Sequence, residues 1–158
     1  MENLLSIVIA AVFINNIVLT KFLGLCPFFG VSTRVRNALM MGLAVTFVMS
    51  CASILTWLIY EYLLIPFEIE YMRIVAFILV IASFVQLVEI VIRKTLPDLY
   101  RAFGIYLPLI TTNCAILGVT LINVEVESYS FVASAVNGLA TGLGFSLALF
   151  MMAGMRER

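Results

Sequence analysis

Long stretches of this chain carry no charge, and its charged residues fall in small groups between them. Residues 3–20 are uncharged and end at Lys21. Residues 22–33 form a shorter uncharged piece rich in Gly, Phe and Pro. Residues 37–60 run without a charge from Arg36 to Glu61. The next apolar run starts after Arg73 and ends near Arg93, interrupted only by Gln86 and Glu89. Residues 102–124 follow, then 128–155, which close at Arg156. Crossing a bilayer takes about 20 apolar residues. The pattern therefore predicts an all-α integral membrane protein with five crossings. The first crossing is extended by an irregular piece around 22–33. It is not read as a cleavable leader, because it begins with Glu2 and is interrupted by Asn15-Asn16.

Composition agrees. Of 158 residues, 64% are hydrophobic and 11% charged. Ordinary soluble domains carry about 25% charge. Mean hydropathy is +1.18. A soluble fold of this size leaves too much surface exposed to hide so much apolar side chain. Histidine is absent, which excludes histidine-held haem, histidine zinc sites and imidazole catalysis. Net charge is zero, so no polybasic tail for nucleic acid is implied. The connections are short and no soluble domain is expected, so a nucleotide or soluble-protein site belongs on another polypeptide. The whole of 1–158 reads as one multi-pass membrane domain.

The charges are sorted by loop. Arg34 and Arg36, then Arg93, Lys94 and Arg101, then Arg156 and Arg158 fall on one side. The other side holds Glu2, Glu61, Glu68, Glu70, Glu125 and Glu127, with Arg73 as its single base. Basic loops stay in the cytoplasm. The N-terminus is therefore expected outside and residue 158 inside.

Two blocks recur in order. Cys26-Pro-Phe-Phe-Gly30-Val31 matches Cys114-Ala-Ile-Leu-Gly118-Val119, and Asn37-Ala-Leu39-Met-Met-Gly42-Leu43 matches Asn137-Gly-Leu139-Ala-Thr-Gly142-Leu143. The spacing between blocks differs by twelve residues, which fits a longer loop in the second copy. The repeat unit holds three crossings, so its copies enter the membrane from opposite faces, as in many transporters. Repeat one covers about 1–95. Repeat two covers about 100–158 and lacks a third crossing within this sequence.

Both repeated cysteines sit beside helix-breaking residues. Gly24 and Pro27 flank Cys26; Pro108 and Thr111-Thr112-Asn113 precede Cys114. Broken backbone inside a bilayer is tolerated only where protein or a cavity satisfies the freed groups. It also exposes N–H groups that stabilise negative charge. Two thiolates form half of a four-cysteine iron–sulfur ligand set, so the other half would come from a second, similar chain. The rival reading is that both cysteines are small packing residues, as membrane cysteines usually are. Cys51 has no repeat partner and no break beside it, and reads as packing. A disulfide framework is not expected.

The stretch Asn15-Asn-Ile-Val-Leu-Thr-Lys-Phe-Leu-Gly-Leu-Cys26-Pro-Phe-Phe-Gly-Val-Ser32 resembles a signature of the membrane subunits of Rnf-type electron-transport complexes. Gly104-Ile-Tyr-Leu-Pro-Leu-Ile-Thr-Thr-Asn-Cys114-Ala-Ile-Leu-Gly118 resembles a second signature of the same family. Phe145-Ser-Leu and Arg156-Glu-Arg158 match as well, so the resemblance covers essentially the whole chain. The sodium-translocating NADH:quinone oxidoreductases contain close relatives. Pro27 and the Thr-Thr-Asn before Cys114 favour the Rnf branch.

The resemblance implies a six-helix inverted-repeat subunit in the bacterial inner membrane, one helix more than this sequence contains. It implies a homologous partner subunit of opposite topology, and other subunits carrying iron–sulfur clusters and flavins. Each of the paired subunits would give two cysteines to a shared [2Fe–2S] cluster; here these are Cys26 and Cys114. The implied activity is electron transfer between ferredoxin and NAD coupled to Na⁺ or H⁺ movement. The competing classes are a secondary transporter without a redox role and a structural membrane subunit.

Other residues fit around this core. Glu89 is the one carboxylate inside a predicted span, which makes it a candidate for ion coupling. It also lies four residues before Arg93, where a local ion pair is expected to form. Lys21 could offset cluster charge, or snorkel to the cytoplasmic interface. Thr112, Asn113, Gly30 and Gly118 are candidates for the cluster surroundings. Asn15, Asn16, Thr111, Thr112 and Asn113 are expected to satisfy broken backbone. Gly42 and Gly142 are expected to allow close helix approach, and Trp57 and Tyr60 to sit in an interfacial belt.

Overall fold

The computed structural model describes residues 3–104, 106–126 and 129–158, without the side chains of residues 99, 102, 103, 107, 125 and 126. Glu2, Glu127 and the side chain of Glu125, part of the acidic set, lie outside the described residues. Everything regular among the described residues is helical.

Three helices are long and apolar enough to cross a membrane: Val35–Phe67, Glu70–Thr95 and Phe131–Arg156. The first contains α4 (Val35–Ile59), which passes through a wide i→i+5 turn, Tyr60–Leu64, into the short α5, Ile65–Phe67. The second contains α6 (Arg73–Thr95), and the third is α10 (Phe131–Arg156). The 25 residues of α4 extend about 38 Å at 1.5 Å per residue. That exceeds the hydrocarbon core of about 30 Å.

The first and fourth predicted crossings are not continuous helices. The first is divided into α1 (Leu4–Ile9) with a wide turn Ala10–Ile14, and α2 (Ile17–Lys21). The region 22–33, expected to be irregular, contains a seven-residue helix, α3 (Leu25–Val31). The stretch 102–124 is crossed by α7 (Pro97–Phe103), α8 (Leu107–Thr111) and α9 (Cys114–Leu121). The cause lies in the polar residues at the breaks. Asparagine and threonine side chains compete for backbone groups and favour caps over helix interiors.

The same cap appears at both breaks. The Val18 N–H donates to Asn16 Oδ1 at 3.1 Å, and the Ala115 N–H donates to Asn113 Oδ1 at 3.0 Å. Each asparagine thus satisfies an orphan donor of the helix it starts. The Asn16 amide nitrogen also donates to Gly144 O at 2.9 Å. This bond ties the first break to α10. Pro27, Pro97 and Pro108 each fall in the first turn of a helix, where a missing N–H costs no bond. Pro66 lies just after the wide turn, near the end of the Val35–Phe67 span.

The core is built on α4 and α10, which form the most extensive helix pair. They run antiparallel. Gly42 faces Ser146, Thr46 faces Gly142, Ser53 faces Gly138 and Trp57 meets Phe131 edge to face. The small residues let the two backbones approach. A Cβ on Gly142 would lie 2.7 Å from Thr46 Cα, so a side chain there has no room. Around this pair are packed Val31, Met41, Val45, Ile116, Phe145 and Leu149, all buried. The α6 helix joins the core by a narrow stripe, Phe77, Ile81 and Val85. Its remaining faces are exposed and apolar, as in Ile74, Val75, Ile78 and Leu79. An apolar outside of this kind suits lipid, not water.

Candidate functional site

The two breaks bring the cysteine-bearing segments together. After α2, Phe22 adopts the left-handed conformation at φ 54° and Gly24 follows at φ 80°. This turn reverses the chain into α3 and carries Cys26 in its first turn. Cys114 is the first residue of α9. The Gly24 N–H donates to Cys114 Sγ at 3.0 Å. The entry to the Cys26 helix is thus in direct contact with the Cys114 thiol.

Gly24 is required twice over. Its φ strongly disfavours any side chain. A Cβ there would also come 2.8 Å from Phe145 Cε2, 3.0 Å from Ala115 Cβ and 3.3 Å from Asn113 Oδ1. Asn113 therefore lies against the same turn. It is only 4% exposed, and its amide nitrogen is buried without a hydrogen-bond partner among the described residues. The matching nitrogen of Asn16 is satisfied by Gly144 O. Cys26 is exposed and Cys114 half-buried; neither is in a disulfide. Cys51 is half-buried in α4.

The other expected site residues are spread more widely. Thr112 Oγ1 donates to Pro108 O at 2.9 Å, closing the end of α8. Gly118 packs beneath the turn, since a Cβ there would come 2.5 Å from Leu23 Cδ1. Gly30 has looser surroundings, its nearest neighbour being Leu109 Cδ1 at 4.0 Å from a built Cβ. Lys21 ends α2 and lines an open groove of about 470 Å³ whose walls mix polar residues, such as Asn15, Asn137 and Thr141, with apolar ones, such as Ile7 and Val119.

Glu89 lies half-buried on α6. The expected ion pair with Arg93 is not formed. The Arg93 guanidinium instead lies over the Tyr100 ring, 5.8 Å from its centroid. The loop into α7 turns Tyr100 back onto α6, and a planar guanidinium gains cation–π stabilisation there.

No group of three or more His, Cys, Asp or Glu residues is gathered for a metal among the described residues. The chain offers two cysteines, with a backbone donor and an unpaired amide donor beside them. Hydrogen bonds to sulfur and two soft ligands suit half of a thiolate-held iron–sulfur centre. Sequence reasoning singled out the cysteines and Asn113 as candidates but not Gly24 as a hydrogen-bond donor to Cys114. Its signal was a glycine ahead of a proline-containing first turn.

Broken helices meeting inside an apolar helical scaffold define a polytopic membrane protein. The chain belongs to the Rnf-Nqr family of membrane protein subunits, whose family model matches residues 4–158. It is 55% identical over 158 residues to a subunit of the ion-translocating oxidoreductase complex of Azoarcus sp. strain BH72, covering all of this chain and 81% of that protein. The corresponding protein of Syntrophotalea carbinolica is 54% identical over 158 residues, covering 100% of this chain and 81% of that protein. A subunit of the Na⁺-translocating ferredoxin:NAD⁺ oxidoreductase complex of Acetobacterium woodii is 54% identical over 156 residues, covering 99% of this chain and 81% of that protein.

Proposed function

We propose that this chain is a membrane electron-relay subunit of an ion-translocating ferredoxin:NAD oxidoreductase. Cys26 and Cys114 are two of the four ligands of a [2Fe–2S] centre. A homologous chain of opposite topology supplies the other two. The observation that carries this reading is the 3.0 Å bond from the Gly24 N–H to Cys114 Sγ. It draws the two cysteine segments together although they are far apart in sequence. When bound, such a centre supplies one-electron redox chemistry in the bilayer.

The chain's own residues do three things in this reading. Cys26 and Cys114 present thiolates. The Gly24 N–H and the buried Asn113 amide stabilise negative charge on sulfur in a low-dielectric setting. The exposure of Cys26 leaves that ligand open to a partner chain.

The inverted-repeat reading has its own support. Asn16 and Asn113 cap their helices alike, and Gly42 and Gly142 lie on opposite sides of one crossing. These pairs keep nearly one spacing, whereas Cys26 and Cys114 depart from it. Under this reading the cysteines stand at different places in the two copies, Cys26 after the turn that follows α2 and Cys114 directly after the capping Asn113. In this reading the basic loops face the cytoplasm of the bacterial inner membrane, with the N-terminus outside and residue 158 inside.

The test is iron analysis and electron paramagnetic resonance on the purified complex. Cys26→Ser and Cys114→Ser should each remove or strongly alter the [2Fe–2S] signal. A full signal in both variants overturns the ligand assignment and leaves a transporter or scaffold without a redox centre.

A further inference from the structure

The helix that carries Cys26 is only seven residues long. So short a helix leaves most of its end groups without internal partners, and its position depends on what holds each end. At the N-terminal end, the Gly24 N–H is held by Cys114 Sγ. At the C-terminal end, the Arg156 Nη1 donates to Phe29 O at 2.9 Å and to Ser32 Oγ at 2.8 Å. Ser32 follows α3 directly and is 0% exposed. A cation at the C-terminal end of a helix is also favoured by its dipole. The neighbouring Glu157 Oε2 accepts from the Val35 N–H at 3.2 Å, an orphan donor at the start of α4. Consecutive residues at the end of α10 thus grip both sides of the turn between α3 and α4.

We infer that Arg156 is a positioning residue for Cys26. It fixes the depth and rotation of α3 through Phe29 O and Ser32 Oγ, and so sets where the Cys26 thiol stands relative to Cys114. The link is short and stiff. Cys26 and Phe29 are three residues apart, less than one helical turn. Displacement of the Phe29 carbonyl is therefore passed to Cys26 with little loss. The role of Arg156 rests on the proposed ligand role of Cys26 for its spectroscopic arm only.

The experiment uses the whole complex with Arg156→Gln, Arg156→Lys and Ser32→Ala. One arm follows the line shape and midpoint potential of the iron–sulfur signal. The other arm follows alkylation of Cys26 and Cys114 by a small maleimide after iron is removed with a chelator, read by mass spectrometry. Arg156→Gln should alter the signal and raise Cys26 alkylation several-fold, with Cys114 unchanged. Arg156→Lys should restore most of both, since an ammonium can still meet the carbonyl. Ser32→Ala, which leaves the charge and α10 intact, should shift Cys26 alkylation in the same direction by less. Unchanged Cys26 alkylation in both Arg156→Gln and Ser32→Ala overturns the inference. An equal rise at Cys26 and Cys114 also overturns it, because that reports general loosening. Absence of an iron–sulfur signal in the unaltered complex would count against the cluster, while the alkylation arm still decides the role of Arg156.

Discussion

Thr46 Oγ1 and Ser146 Oγ lie 3.0 Å apart across the crossing of α4 and α10. Each hydroxyl also reaches the carbonyl of the glycine one turn before it, Gly42 O at 2.7 Å and Gly142 O at 3.0 Å. Two hydroxyl protons serve three contacts, so the pair shares its protons between the helices. The glycines make this approach feasible, because each faces the hydroxyl residue of the opposite helix.

Gly142→Val should therefore be among the most damaging changes outside the cysteine site. A Cβ at Gly142 would meet Thr46 Cα at 2.7 Å, and backbone cannot yield as a side chain tip can. Overpacking of this kind costs about 1–3 kcal/mol. Gly154→Ala is the control, since nothing lies within 4 Å of that position. The measurement is the thermal midpoint of the detergent-solubilised complex. It should fall clearly for Gly142→Val and stay unchanged for Gly154→Ala.

How far the structure was legible depended on which signal each element carries. The long apolar runs behind α4, α6 and α10 were readable because helices that cross a bilayer need length and little else. Gly42 and Gly142 were readable because they recur in matching blocks. The breaks were only half legible. Asn15-Asn16 and Thr112-Asn113 are polar in apolar surroundings, but an uncharged run gives no hint of where its hydrogen bonds change partner. The order within 22–33 was missed for a related reason. Pro27 argues against helix in an interior but not in a first turn, and the turn geometry at Phe22 and Gly24 decides which applies. The contact between Gly24 and Cys114 spans 90 residues and has no local signature. The Glu89–Arg93 spacing was correct for an ion pair, yet Tyr100 captured the guanidinium from the next helix.

The two capping asparagines should differ in weight. Asn16→Ala removes the cap on α2 and also the 2.9 Å bond to Gly144 O, which leaves a buried carbonyl without that donor. Loss of a cap costs about 0.5–2 kcal/mol, and loss of the tie to Gly144 O, which stays bonded within α10, about 0.5–1.5 kcal/mol more. Asn113→Ala removes the cap on α9 but no second bond, because its amide nitrogen is unpartnered among the described residues. Thermal unfolding of the two variants should rank Asn16→Ala as the less stable. Under the proposed ligand role of Cys26 and Cys114, the iron–sulfur signal should rank them the other way, with Asn113→Ala producing the larger change. Equal effects on both measures would remove the distinction.

Orientation is accessible by labelling. Glu68 and Lys94 are exposed and flank α6, whose 23 residues reach about 35 Å. Glu68→Cys and Lys94→Cys, placed in a background where Cys51 is alanine, should react with a membrane-impermeant maleimide from opposite sides. Glu68→Cys is expected to label in right-side-out vesicles and Lys94→Cys in inverted ones. Labelling of both from one side would mean that α6 does not cross.

Glu89 lies well inside α6, and its expected pairing with Arg93 is not formed. Acidic groups at such positions are expensive to keep and are usually functional. A half-buried carboxylate without a fixed counter-ion among the described residues is also the kind of group that a passing cation would meet. Glu89→Gln keeps the shape and removes the charge, so the fold should hold within about 0.5 kcal/mol. Ion transport by the reconstituted complex, measured alongside ferredoxin-dependent NAD reduction, should fall several-fold while cysteine-dependent electron transfer persists. If transport per electron is unchanged in Glu89→Gln, the carboxylate does not lie on the ion's route. Glu89→Leu then separates charge from packing. A lipid-facing Glu89 with no ion role should give a variant at least as stable as the parent and fully coupled, whereas an ion-handling Glu89 should give one that is stable but uncoupled.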